Sequence, residues 1–140
     1  MSAVRPRVLH IITRLDPGGS SSNTLITVER LREFGFETAL AYGRTRDADR
    51  LLIGQTLAER GMTSLYMPSL VRNPSPVKDV QAYLALCRIL ADKPYDLVHT
   101  HTSKAGAIGR MAALRFRLPA IHTPHGHVFY GYFSTTMTYG

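Results

Sequence analysis

Short, mostly apolar runs alternate with longer segments whose apolar residues recur at helical spacing. Runs that are apolar at consecutive positions are typical of strands buried on both faces of a parallel sheet. Five strands are predicted, over residues 7–13, 37–43, 63–67, 96–100 and 120–123. Four helices are predicted between them, over residues 22–34, 47–60, 77–91 and 103–116.

Residues that start and end helices support these bounds. Gly35 and Gly61 stand where the first two helices should end, and Ser103 stands where the last should begin. Gly106 and Gly109 would let that last helix approach the sheet closely. Because strand and helix alternate throughout, the fold class predicted is α/β, a doubly wound, Rossmann-like parallel sheet.

The amino-acid composition indicates the general class of protein. With 140 residues, 44% apolar and 19% charged, the chain has the usage of one globular domain. Its single cysteine, Cys87, lies within an apolar periodic run, so no disulfide framework is expected and the cytoplasm is the predicted compartment. The apolar run near the N-terminus is too short for a signal peptide or a membrane span.

Charge is unevenly distributed. The net charge is +7, and no Asp or Glu occurs from residue 97 to 140, whereas Lys104, Arg110, Arg115 and Arg117 do. This asymmetry favours an anionic partner near the C-terminal half, although solvated surface arginines would look the same. A nucleic-acid partner is not predicted, because no dense basic stripe with stacking aromatics occurs.

In a doubly wound sheet, ligands bind outside the carboxyl ends of the strands. Gly18 and Gly19 follow the first strand there, where backbone N–H groups and a helix N-terminus favour an anion. A tight turn without a ligand is the alternative. A nicotinamide enzyme is not indicated, because G-x-G-x-x-G is missing and the second strand ends in "YGR" rather than at an acid.

Histidines gather after the last two strands, in "VHTHTSKAG" and "IHTPHGHVF". An H-x-H pair could share a metal ion, but no carboxylate follows Asp96 to support one and Lys104 would repel it, so no metal is predicted. Ser103 and Lys104 at a helix start instead suggest an anion site, or at minimum a well-capped helix. His10, His99 and His122 are expected to be structural residues. His125, on the loop after Pro124, could donate to a phosphate or a sugar hydroxyl.

Three stretches taken together, "VLHIITRLDPGGSSSNT", "DLVHTHTSKAGAIGRMAA" and "HTPHGHVF", resemble the N-terminal Rossmann-type domain of GT-B glycosyltransferases of family 4. The resemblance runs over most of the chain. It implies a retaining transferase that moves a sugar from a nucleotide-diphosphate donor to a polysaccharide or lipid-linked acceptor, without a metal or another cofactor.

The resemblance also implies residue roles. Gly18 and Gly19 would lie beside the donor diphosphate, and His125 would be the catalytic histidine. The acceptor cleft would comprise Ser20, His101, Ser103, Lys104, Gly126 and His127. The domain would be incomplete at its C-terminal end and inactive without a C-terminal donor-binding domain, present in cis or in trans.

Two other classes of function stay open at this point. One is a non-catalytic binding module or partner-dependent half, and the other is a flavodoxin-like module that binds a phosphorylated small molecule. The aromatic run "VFYGYF" could also make a peripheral contact at the inner face of a membrane, or pack against the remainder of a longer protein.

Overall fold

A computed structural model describes residues 5–15, 19–44 and 47–124 of the chain. Within these ranges the strands are β1 (Arg7–Ile12), β2 (Glu37–Tyr42), β3 (Thr63–Tyr66), β4 (Leu97–His101) and β5 (Ala120–Thr123). The helices are α1 (Gly19–Glu33), α2 (Asp47–Glu59), α3 (Pro76–Asp92) and α4 (Ser103–Arg115). The predicted elements are all present, and the largest shift is at α1, which begins at Gly19 rather than at residue 22.

The strands form one parallel sheet in the order β3-β2-β1-β4-β5. The chain therefore moves outward from β1 to β3, crosses back, and continues on the other side of β1 with β4 and β5. This reversal confirms the predicted doubly wound, Rossmann-like α/β fold. In the register of the central pair, His10 lies opposite His99 and Ile12 lies opposite His101.

The core consists of two apolar layers, one on each face of the sheet. On one face, Leu9 and Ile11 of β1 belong to the cluster that contains residues of α3 and α4. On the other face, Ile12 and Leu40 belong to the cluster that contains Val28 of α1 and Leu57 of α2. Burial on both faces explains why the strands are apolar at consecutive positions.

Several helices begin or end at residue types that favour a helix start or a helix end. Gly35 (φ 92°) and Gly61 (φ 70°) take the left-handed conformation just after α1 and α2, as predicted for residues that end helices. Pro76 begins α3, and the Ser75 hydroxyl accepts a hydrogen bond from the Lys78 N–H (3.4 Å). Among the described helices, none has the length and apolar character needed to cross a membrane.

Candidate active site

The candidate site lies where the strand order reverses, between the carboxyl ends of β1 and β4. These neighbouring strands are followed by helices on opposite faces of the sheet, so the loops that leave them diverge and open a crevice. The N-termini of α1 at Gly19 and α4 at Ser103 both point to this edge. Each helix contributes about half a positive charge there, so the edge favours an anion.

Two threonine hydroxyls join the loops at this point. The side-chain oxygens of Thr13 and Thr102 lie 2.8 Å apart, and the Thr13 N–H donates to Thr102 Oγ1 (3.4 Å). Thr13 Oγ1 also accepts from the Ala105 N–H in the first turn of α4 (3.2 Å). Thr13, which directly follows β1, therefore caps α4. Ser103 is the exposed first residue of the helix rather than its cap.

Thr102 has a strained backbone. Its φ of 74° and ψ of 162° fall in a region that is almost restricted to glycine and costs about 1–3 kcal/mol. The side-chain bonds to Thr13 hold this conformation in place. Strain of this kind persists where the surrounding structure fixes a loop, so the connection between β4 and α4 is held in one shape.

Lys104 does not present its ammonium to the crevice. Its side chain is 14% exposed, and Nζ donates to Asp79 Oδ1 (2.8 Å) and to the carbonyl oxygen of Asn73. The hydrogen bond from Lys104 lowers the pKa of Asp79. The charge of Lys104 is thus neutralised by α3, and the convergence of ammonium, hydroxyl and N–H groups that the sequence suggested does not form.

His101 lies beneath the site, in a cluster of three imidazoles in which its ring stacks on the other two. Its ring is 1% exposed and stacks on His99 (centroids 4.3 Å apart), while its Nε2 is 3.3 Å from His10 Nδ1. His99 in turn bonds Thr123 through Nε2 (2.7 Å). Burial, then the nearby His99, lowers the pKa of His10 to about 3, so His10 is neutral at physiological pH.

The ring nitrogens of His10, His99 and His101 lie within 4.8 Å of one another, which is near enough to raise the question of a metal. A zinc ion would need three nitrogens at about 2.0–2.1 Å that converge on one point. The His101 ring is instead stacked on the other two, 23° from parallel with His10 and 24° with His99. The rings also form hydrogen bonds with each other and with Thr123. The geometry is that of a packed imidazole cluster.

His122 lies on the face of the sheet that packs against α4, opposite to the imidazole cluster. Its Nδ1 lies 2.8 Å from Thr100 Oγ1, and its ring packs on Gly106, where an added Cβ would come within 2.5 Å of the ring. This agrees with the prediction that His122 is structural and that Gly106 permits close approach. Its packing also connects β5 to α4.

Several predicted site residues cannot be placed. Gly18, His125, Gly126 and His127 lie outside the described residues, and Ser20 is described only as part of the first turn of α1. Their roles therefore stay predictions. Conversely, Thr13, Thr102 and Asp79 hold the site together but were missed in the sequence, because their contacts join positions 25 to 92 residues apart.

Comparison with known proteins gives the site its context. Residues 18–138 match the family model of the glycosyl transferase 4-like domain. A 67-residue stretch is 42% identical to the Escherichia coli UDP-Gal:alpha-D-GlcNAc-diphosphoundecaprenol alpha-1,3-galactosyltransferase. That stretch covers 47% of this chain and 17% of the galactosyltransferase.

Solved structures share the fold at low sequence identity. MurG of Acinetobacter baumannii superposes with a TM-score of 0.67 at 17% identity, over 85% of this chain and 35% of that one. The UDP-GlcNAc 2-epimerase of Neisseria meningitidis, bound to UDP-GlcNAc, superposes with a TM-score of 0.59 at 16% identity, over 91% of this chain and 35% of that one. These likenesses concern the fold alone.

The family match covers most of the chain, including the loops after β1, β4 and β5 that carry the candidate residues. The sheet order and the solved structures agree with the Rossmann-like half of a GT-B protein. The chain spans about a third of the length of those structures. It belongs to the glycosyl transferase 4-like domain family and has the fold of the N-terminal domain of a GT-B glycosyltransferase.

Proposed function

We propose that this chain is the acceptor-side domain of a retaining glycosyltransferase, which moves a sugar from a nucleotide-diphosphate donor to a polysaccharide or lipid-linked acceptor. The observation that carries the proposal is the family match over residues 18–138, which includes every predicted site residue. The galactosyltransferase relative supports a UDP-sugar donor and a diphosphate-linked lipid acceptor, because its name specifies both.

The chemistry of the crevice is consistent with this role. Departure of a nucleoside diphosphate develops negative charge, and helix N-termini aimed at one edge stabilise such charge without reorganisation. The loop after β4, which the Thr13 and Thr102 hydroxyls fix, would hold the acceptor side of the crevice. The donor would be bound mainly by a second domain, in cis or in trans, and closure of the two would exclude water.

His125 is proposed as the catalytic histidine that contacts the transferring sugar or its phosphate. The test is transfer from UDP-sugars to polyprenyl-diphosphate-linked GlcNAc, using the complete protein. We expect His125→Ala to lower kcat about 100-fold or more, as loss of a group that acts in the transition state does. Gln55→Ala, at an exposed position on α2, serves as the control and should retain normal turnover.

Two further readouts of the same assay test the finer parts of the proposal. The anomeric configuration of the product, determined by NMR, should match that of the donor if transfer is retaining. A chelator should leave the rate unchanged if transfer needs no metal. Unaltered turnover in His125→Ala would reject the assignment of His125, and absence of transfer with every sugar nucleotide would count against the proposed function itself.

A further inference from the structure

Two neighbouring helices on one face of the sheet expose large apolar side chains in rows. Val77, Val80 and Leu84 of α3 are 69%, 58% and 49% exposed, and their spacing of three and seven places them along one side of the helix. On α4, Met111 and Leu114 are 60% and 78% exposed and also three residues apart. We call these five residues the α3–α4 apolar surface.

The two rows belong to one surface because the helices pack side by side. At their N-terminal ends, Lys104 of α4 forms an ion pair with Asp79 of α3 (2.8 Å). Further along, a hydrogen bond with Cys87 raises the pKa of Tyr83, and the nearby guanidinium of Arg115 opposes that rise. The buried sides of both helices face the sheet, so the exposed rows lie together on the outward side.

The charges at this surface are mainly positive. Arg88 follows Leu84 by one helical turn, Arg115 follows Leu114 directly, and both are exposed. The acids of α3 are Asp79, which is paired with Lys104, and Asp92 at the last position of the helix, while α4 has none. An apolar surface bordered by arginines complements an anionic lipid bilayer, in which side chains enter the acyl boundary and cations meet the phosphates.

From this we infer that the α3–α4 apolar surface is the site at which the protein docks on an anionic membrane. The inference rests on the proposed function, because a lipid-linked acceptor would have to reach the crevice from the bilayer. Val77 lies in the first turn of α3 and Lys104 in the first turn of α4, so the surface begins at the sheet edge that holds the candidate site. Docking there would bring the acceptor headgroup to that edge.

The direct test is flotation of the complete protein with vesicles of phosphatidylglycerol and phosphatidylcholine, compared with phosphatidylcholine alone. We expect binding to the anionic vesicles only, and a partition coefficient that falls about tenfold or more in Leu84→Ser/Leu114→Ser. Arg88→Gln and Arg115→Gln should each weaken binding about fivefold and reduce its dependence on salt.

The matched control is Ile26→Ser/Phe34→Ser. These two residues are as exposed (56% and 76%), but Ile26 belongs to α1 and Phe34 directly follows it, on the other face of the sheet. Their replacement should therefore leave vesicle binding unchanged. Equal binding by the wild type and the Leu84/Leu114 variant would overturn the inference, as would an equal loss in the α1 variant. The inference would also be overturned if the wild type were a dimer in solution and Leu84→Ser/Leu114→Ser were a monomer. That result would mean that a second copy of the chain, not a membrane, covers the α3–α4 apolar surface.

A soluble acceptor separates failure of docking from failure of the proposed function. With a short-chain, water-soluble acceptor, Leu84→Ser/Leu114→Ser should retain wild-type turnover while losing turnover on the vesicle-embedded acceptor. Loss on both acceptors would mean that the surface supports the fold or the site rather than docking. Vesicle binding without any transfer by the wild type would leave docking intact and reject the transferase.

Discussion

At the residue scale, His10 lies in an environment that opposes its protonation. The ring is fully buried and next to His99, and its pKa falls from 6.5 to about 3. In the unfolded chain His10 takes up a proton below about pH 6.5, whereas the folded protein does not. The free energy of unfolding is therefore unaffected by His10 above pH 6.5. As the pH falls from there toward 3, His10 lowers it by up to about 1.4 kcal/mol per pH unit.

Urea unfolding at several pH values between about 6.5 and 5 measures this loss without the main carboxylate titrations. His10→Gln, which keeps hydrogen-bonding groups but does not titrate, should flatten the slope in that window. Val28→Ala is the control, because it removes buried apolar volume and should lower stability equally at each pH. If His10→Gln kept the wild-type slope, burial of His10 would not be its cause.

The sequence predicted the structural role of two histidines better than it predicted how the site is held. His99 and His122 were expected to be structural, and both bond within the sheet. The role of Thr13 in capping α4 could not be predicted. Local preferences favour Ser103 as the cap and carry no information on a hydroxyl that lies 92 residues before its partner Ala105. The pairing of Lys104 with Asp79 likewise depends on how α3 packs against α4.

At the element scale, α4 packs closely on the sheet at Gly109. A Cβ added at Gly109 would lie 2.5 Å from Thr100 Cγ2 and 3.0 Å from Ile11 Cδ1, both on stiff, buried, β-branched side chains. We expect Gly109→Ala to destabilise the protein by about 1–3 kcal/mol, since overpacking outweighs the helix propensity of alanine. Denaturant unfolding at neutral pH is the measurement.

Gly54 gives this prediction a control of opposite sign. It lies within α2, and a Cβ there would meet nothing within 4 Å. Gly54→Ala should therefore stabilise the protein by about 0.5–1 kcal/mol through helix propensity and reduced freedom of the unfolded chain. Equal effects of the two substitutions would mean that α4 can move away from the sheet.

Elements were predictable from sequence because burial on both faces leaves a clear signal. Consecutive apolar residues identified β1 and β2, and Gly35 and Gly61 identified helix ends. The N-terminus of α1 was placed three residues late, because "GGSSSN" reads as loop and cap residues while helix formation there depends on the position after β1. Strand order was inferred only as a class, since the sequence does not specify which strands pair.

At the scale of the whole molecule, the charge needed for transfer is not supplied by the described part of the site. The ammonium of Lys104 is bound by Asp79, and the half-buried Arg14 already has a partner within the protein. The positive charge that remains at the carboxyl ends of β1 and β4 is that of the N-termini of α1 and α4, about half a charge each. A departing nucleoside diphosphate carries more negative charge than this, so the proposed transfer would need further cations from outside these described residues.

We therefore expect the 140-residue chain alone to fold but to give no detectable transfer. Circular dichroism and cooperative unfolding would establish the fold, and a transfer assay with UDP-sugars and a polyprenyl-diphosphate acceptor would establish the loss of activity. Adding a donor-binding domain as a separate polypeptide should restore transfer, because closure of the two domains brings cations and N–H groups to opposite sides of the same diphosphate. Turnover by the isolated chain at a rate similar to that of the mixture would show that residues 1–140 complete the site on their own.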